Sequence, residues 1–102
     1  MAFKKFEHDD NEYFKWMDRN PSAFIVNTTK SNNTKYFVLH RSKCRQISPT
    51  ARRDEGAYTK GTYIKVASDD IAVLRSWFES NYSKFKGQFT ECKTCNPLSN
   101  RL

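Results

Sequence analysis

Tyr36-Phe37-Val38-Leu39-His40-Arg41-Ser42-Lys43-Cys44 decides the fold, because an apolar strand runs directly into a pair of potential metal ligands. Residues 36–40 are aromatic or aliphatic and read as the return strand of a hairpin. Ser31-Asn32-Asn33-Thr34 supplies the turn before it, since Asn tolerates left-handed backbone angles. Ala23-Phe24-Ile25-Val26-Asn27-Thr28 is the partner strand by composition. The hairpin therefore carries His40 and Cys44 at one end.

Working outward, Asp9-Asp10-Asn11 caps a helix that places Tyr13, Phe14, Trp16 and Met17 at core spacing, and Asn20-Pro21 stops it. Beyond the hairpin, residues 48–56 lack an apolar period and read as an exposed loop with Pro49, Arg52 and Arg53. Tyr58 to Val66 alternates around Gly61 and predicts a further strand or a hairpin. Ser68-Asp69-Asp70 caps a second helix, in which Ile71, Leu74, Trp77 and Phe78 share one face and pack on the sheet. A chain of 102 residues holds one core, so 1–102 is read as a single domain. The expected class is α+β: a small antiparallel sheet with two packed helices.

All three cysteines fall into one pattern with a histidine: His40-x-x-x-Cys44, then Cys92-Lys93-Thr94-Cys95. Two residues between sulfurs let both thiolates reach one metal. One imidazole and three thiolates suit and saturate tetrahedral Zn²⁺, and soft sulfur disfavours Mg²⁺ and Ca²⁺. Zinc would join the hairpin end to the C-terminal knuckle. Coincidence and a redox pair are the alternatives. Redox Cys-x-x-Cys pairs open a helix, however, whereas Asn96-Pro97 follows here. The odd cysteine count argues against a closed disulfide framework.

The net charge of +7 is concentrated. Residues 1–29 sum to −1 and residues 66–102 to +1, while residues 30–65 alone carry +7. A local cationic field suits a polyanion, so nucleic acid is the expected partner, DNA before RNA. Arg41, Lys43, Arg45 and Lys93 lie between or beside the metal ligands, where the metal would fix them on one rim. Arg52 and Arg53 on the loop, with Lys60, extend the expected phosphate-binding set. The alternative is a protein-interaction module, such as a small inhibitor or adaptor. Catalysis is not expected: saturated zinc leaves no position for water, and Asp9, Asp10, Glu12, Asp69 and Asp70 sit at helix starts where capping explains them. No run approaches the roughly 20 apolar residues of a membrane span. The first ten residues turn acidic where a signal peptide needs an apolar run, so the expected compartment is the reducing cytoplasm. Neither a membrane partner nor a small-molecule substrate is expected.

Cys92-Lys93-Thr94-Cys95-Asn96-Pro97 resembles the closing Cys-Lys-Arg-Cys-Gln-Pro motif of the Ada-type metal-binding domain. That module forms the amino-terminal part of the bacterial alkylation-response and DNA phosphotriester repair protein. Leu39-His40-Arg41-Ser42-Lys43-Cys44 resembles its first ligand pair, Cys-Arg-Pro-Ser-Cys, in spacing and in the Arg. Trp16, Arg19-Asn20-Pro21 and Phe24 to Val26 follow the family's order of helix, turn and strand. The likeness covers residues 12–47 and 89–97, and it implies a structural zinc domain that binds DNA. His40 stands where the family has its methyl-accepting cysteine, so no methyl transfer is implied. The middle of the chain is also longer than in the family. Related small domains with His-x-x-x-Cys and a closing Cys-x-x-Cys resemble appendages to nucleases, which adds a nuclease or other protein to the expected partners.

Overall fold

The computed structural model of the chain describes residues 3–7, 10–31, 34–42, 44, 47, 63–95 and 97. The two hairpin segments do pair. Strand β2 (Phe24–Thr29) runs antiparallel to β3 (Val38–Arg41), with Ile25 opposite His40 and Val26 opposite Leu39. The Thr34 N–H donates to the Ser31 carbonyl at 3.3 Å, closing the connection between them. Strand β3 starts two residues later than the apolar run because Tyr36 and Phe37 bond elsewhere. The Tyr36 N–H donates to Thr34 Oγ1 and its carbonyl accepts from Thr28 Oγ1.

Three further strands complete the sheet. Strand β4 (Tyr63–Ser68) lies antiparallel to the other edge of β2, and β1 (Phe3–Phe6) lies antiparallel to β4. Strand β5 (Thr90–Glu91) joins the free edge of β3, giving the order β1-β4-β2-β3-β5. Strand β1 was not expected from the sequence. It is four residues long, carries two lysines and buries only Phe6, as a protected edge strand does. Strand β5 is parallel to β3, so the sheet is mixed rather than wholly antiparallel. Strands β3 and β4 both oppose β2 and so share a direction. A helix between β4 and β5 then brings the chain back along the same direction, a crossover rather than a hairpin.

Adjacent strand residues point to opposite faces, and the two helices cover one face each. Helix α1 (Asp10–Arg19) buries Tyr13 and Met17 against Phe6, Ile25 and Ala67. Helix α2 (Ile71–Asn81) buries Leu74 and Phe78 against Val26, Leu39, Ile64 and Val66. Asp70 caps α2 as expected, its carboxylate accepting from the Ala72 N–H at 2.9 Å. Asp9, the loop 48–56 and the first part of the segment read as a strand over 58–66 lie outside the described residues. The result is a small α+β fold with a five-stranded sheet between two helices.

Candidate metal centre

The sheet register assembles the four candidate ligands. His40 sits opposite Ile25 and so faces α1, at the end of β3. The chain then turns sharply. The Ser42 N–H donates to the Ala23 carbonyl at 2.8 Å and its hydroxyl to the Met17 carbonyl at 3.2 Å. These bonds hold a buried turn between β2, α1 and the end of β3, from which the Cys44 N–H reaches back to the Arg41 carbonyl at 3.1 Å. Downstream, Tyr13 on α1 donates its hydroxyl to the Ile47 carbonyl at 2.7 Å.

The second ligand pair arrives through the parallel strand. Glu91 pairs with Leu39, and the next N–H, that of Cys92, donates to the Leu39 carbonyl at 2.9 Å. Cys92 is thereby set beside His40. The chain turns through Lys93 and Thr94, and the Arg41 N–H points at Cys95 Sγ from 3.3 Å. A backbone amide aimed at sulfur stabilises the thiolate form.

One ligand atom from each of His40, Cys44, Cys92 and Cys95 lies within 4.8 Å of the others, with His40, Cys44 and Cys92 buried. The Cys44 and Cys92 sulfurs are 3.8 Å apart. Two sulfurs at about 2.3 Å from one tetrahedral zinc stand about 3.8 Å apart, whereas a disulfide needs about 2.05 Å. The imidazole adds a second line of support. His40 Nδ1 is the one buried side-chain nitrogen or oxygen among the described residues with no hydrogen-bond partner. Such an orphan costs free energy, and a metal bound at its lone pair removes that cost. The donor set and its geometry fit a metal ion.

The electrostatics favour ligation as well. Burial, helped by the nearby Lys65 ammonium, lowers the His40 pKa from 6.5 to about 4, which keeps the imidazole neutral and able to donate a lone pair. Burial works against ionising Cys92, but the backbone amides of Cys95 and Thr94 and the Cys44 and Cys95 thiols outweigh it and hold Cys92 below the ordinary thiol range. Burial raises Cys95, with the neighbouring Cys92 charge adding to it, against the opposing Arg41 amide and Cys44 thiol. Three crowded sulfurs cannot all ionise without a cation among them.

The predicted phosphate-binding residues divide. Lys93 is exposed in the turn between Cys92 and Cys95, at the metal end. Arg41 is also there, but its side chain is engaged within the protein. Its Nε donates to the Pro97 carbonyl at 3.1 Å and its Nη1 to the Ser22 carbonyl at 2.9 Å, while the guanidinium lies 4.3 Å over the Phe24 ring. Lys43, Arg45, Arg52, Arg53 and Lys60 lie outside the described residues. The sequence reading missed the parts played by Ser42 and the Arg41 amide, because backbone direction leaves no mark on residue type. No helix among the described residues is long and apolar enough to cross a membrane. No known protein family, curated protein or solved structure matches the chain.

Proposed function

We propose that this chain is a nucleic-acid-binding module, with DNA the more favoured partner, held together by a structural zinc ion on His40, Cys44, Cys92 and Cys95. The observation that carries the metal half is the convergence of four soft or borderline ligand atoms within 4.8 Å. Bound zinc would use all four positions, so it supplies cross-linking rather than catalysis. It would tie the end of β3 to the segment after β5, with 47 residues between Cys44 and Cys92. The proposal includes kinship with the Ada-type domain, supported by the ligand order and by the helix, turn and strand that precede it.

The nucleic-acid half rests on charge. The whole excess of +7 falls in residues 30–65, and this segment begins and ends beside the sheet that carries the metal site. A structural zinc beside a concentrated cationic segment suits phosphate binding and needs no catalytic group. Elemental analysis of tag-free protein should find one zinc per chain, and fluorescence anisotropy should show binding to duplex DNA at about 50 mM salt that fades by about 200 mM. Folded, stable protein without metal would overturn the first half. Indifference to DNA and RNA at low salt would overturn the second and leave a protein-interaction module.

A further inference from the structure

A pocket of about 570 Å³ opens where β5 meets the residues just before β3, lined by Lys35, Phe37, Lys84, Lys86, Gln88 and Thr90. Three of the six are lysines and none is acidic. Lys35, Lys84 and Lys86 are exposed, and neither the Lys4–Glu12 nor the Lys5–Glu7 ion pair involves them. Three ammonium groups in one concavity repel each other, which an anion would relieve.

The local sequence explains how they converge. In Lys84-Phe85-Lys86-Gly87-Gln88-Phe89-Thr90, alternate residues take opposite sides. Phe85 and Phe89 turn inward onto Phe78, at ring-centroid distances of 5.7 and 5.6 Å, and onto each other at 4.9 Å. Their neighbours Lys84, Lys86, Gln88 and Thr90 are left on the pocket side. Gly87, with φ +87°, permits the bend between the two phenylalanines. Across the gap, the Thr90 N–H bonds to the Phe37 carbonyl at 2.8 Å and fixes Lys35 and Phe37 as the facing wall. The lysines thus stand on an anchored frame, with amide and hydroxyl groups between them.

We propose that this pocket binds the phosphate groups of a nucleotide. Its volume falls within the roughly 300–1,000 Å³ of small-ligand sites, larger than one inorganic phosphate needs. Three cations call for more than one negative charge, as in a nucleoside triphosphate or in successive phosphates of a nucleic-acid strand. Gln88 and Thr90 add hydrogen-bonding groups for the phosphate oxygens or sugar. Lys35 is the one pocket lysine within residues 30–65, and Lys84, Lys86, Gln88 and Thr90 lie outside both that segment and the metal end, so the pocket adds a contact that the reading above does not include.

The test is titration of the zinc-loaded full chain with a nucleoside triphosphate, a single-stranded oligonucleotide and inorganic phosphate, at about 50 mM salt. Wild type is compared with Lys84→Gln/Lys86→Gln, with the charge reversal Lys84→Glu/Lys86→Glu, and with Lys4→Gln/Lys15→Gln as a control that matches the charge loss of the Gln pair; melting temperature and zinc content report folding. We expect the triphosphate or the oligonucleotide to bind, inorganic phosphate to bind at least tenfold more weakly, and the pocket variants to lose roughly tenfold or more in affinity. The lysine control should retain binding. Equal losses in pocket and control variants, undiminished binding in the pocket variants, or no binding of either nucleotide ligand would overturn the proposal. Triphosphate binding without oligonucleotide binding would uphold the pocket while removing the nucleic-acid reading. Oligonucleotide binding that survives the pocket variants but not Arg52→Ala/Arg53→Ala would do the reverse.

Discussion

His40 shows how one residue's environment can identify its use. A buried imidazole with a lowered pKa and an unpartnered Nδ1 is costly in a protein that gives it nothing to bind. Beside three sulfurs the same features become assets. Cys44→Ser or Cys92→Ser should therefore abolish zinc retention and leave poorly folded protein, because structural zinc contributes on the order of 10 kcal/mol in small sites. His40→Cys should retain both metal and fold, since thiolate suits tetrahedral zinc equally well. Circular dichroism and metal content on the three variants check this together. The pH dependence has a definite sign. The folded state holds His40 neutral down to about 4, whereas the unfolded ring takes up a proton near 6.5. Protons then favour the unfolded chain in that window, and stability falls as pH drops through it. The His40 share is about 1.5 kcal/mol between pH 6.5 and 5, with thiol protonation acting in the same direction. Urea midpoints measured with excess zinc should decline over that interval, and a flat or rising profile would contradict a buried neutral His40.

At the scale of elements, the legible parts were those with long, regular patterns. Helix α2 was readable from Asp70 as cap and from Leu74 and Phe78 on one face, and α1 from Tyr13 and Met17. The hairpin was readable because Ile25, Val26 and Leu39 lie in apolar runs on both sides of a turn. The clustering of His40, Cys44, Cys92 and Cys95 was readable within each pair from its spacing, but not across the long gap between the pairs. Two elements were not. Strand β1 has two lysines in four residues, and β5 is two residues long, so neither shows a period. The direction of β5 was equally hidden, since it depends on α2 spanning the sheet rather than on any residue in the strand. That short strand nonetheless delivers Cys92 to His40, and an aromatic cluster steadies the approach to it. Phe37 meets Phe78, Tyr82 and Phe85 edge-on, with ring centroids 5.5, 5.5 and 5.2 Å apart. Phe37→Ala should cost about 3–5 kcal/mol, as large-to-small changes in packed aromatic cores do. Chemical denaturation of the zinc-loaded protein measures that loss. Hydrogen exchange should also quicken at the Thr90 and Cys92 amides, which bond to the Phe37 and Leu39 carbonyls. A loss below about 1 kcal/mol would mean that the segment after α2 is held by the metal and not by the cluster.

For the whole molecule, the question is whether the charge asymmetry is a surface for phosphate or a general cationic coat. The two ideas differ in where substitutions matter. Arg41 is a poor probe of either, because its guanidinium ties the Ser22 and Pro97 carbonyls together and its loss would disturb the metal end itself. The informative set is Lys43, Arg45, Arg52 and Arg53, all in the segment that carries the net +7. Lys4, Lys5 and Lys15 form the comparison set, since they are exposed and lie among residues 1–29, which sum to −1. Ion pairing with Glu12 and Glu7 already offsets two of them, at 3.6 and 3.3 Å. On duplex DNA, each phosphate contact removed lowers the slope of log affinity against log salt by about 0.9. Changing the first set to Ala should weaken binding at about 50 mM salt and flatten that slope by one such step for every residue that touches a phosphate. The second set should leave the slope nearly unchanged. A diffuse coat predicts the same loss per charge from either set, because long-range attraction depends on total charge and is screened alike. Equal losses per charge would therefore remove the dedicated surface. A steep loss from the first set alone, with zinc content and melting temperature unaltered, would locate the contact in residues 43–53.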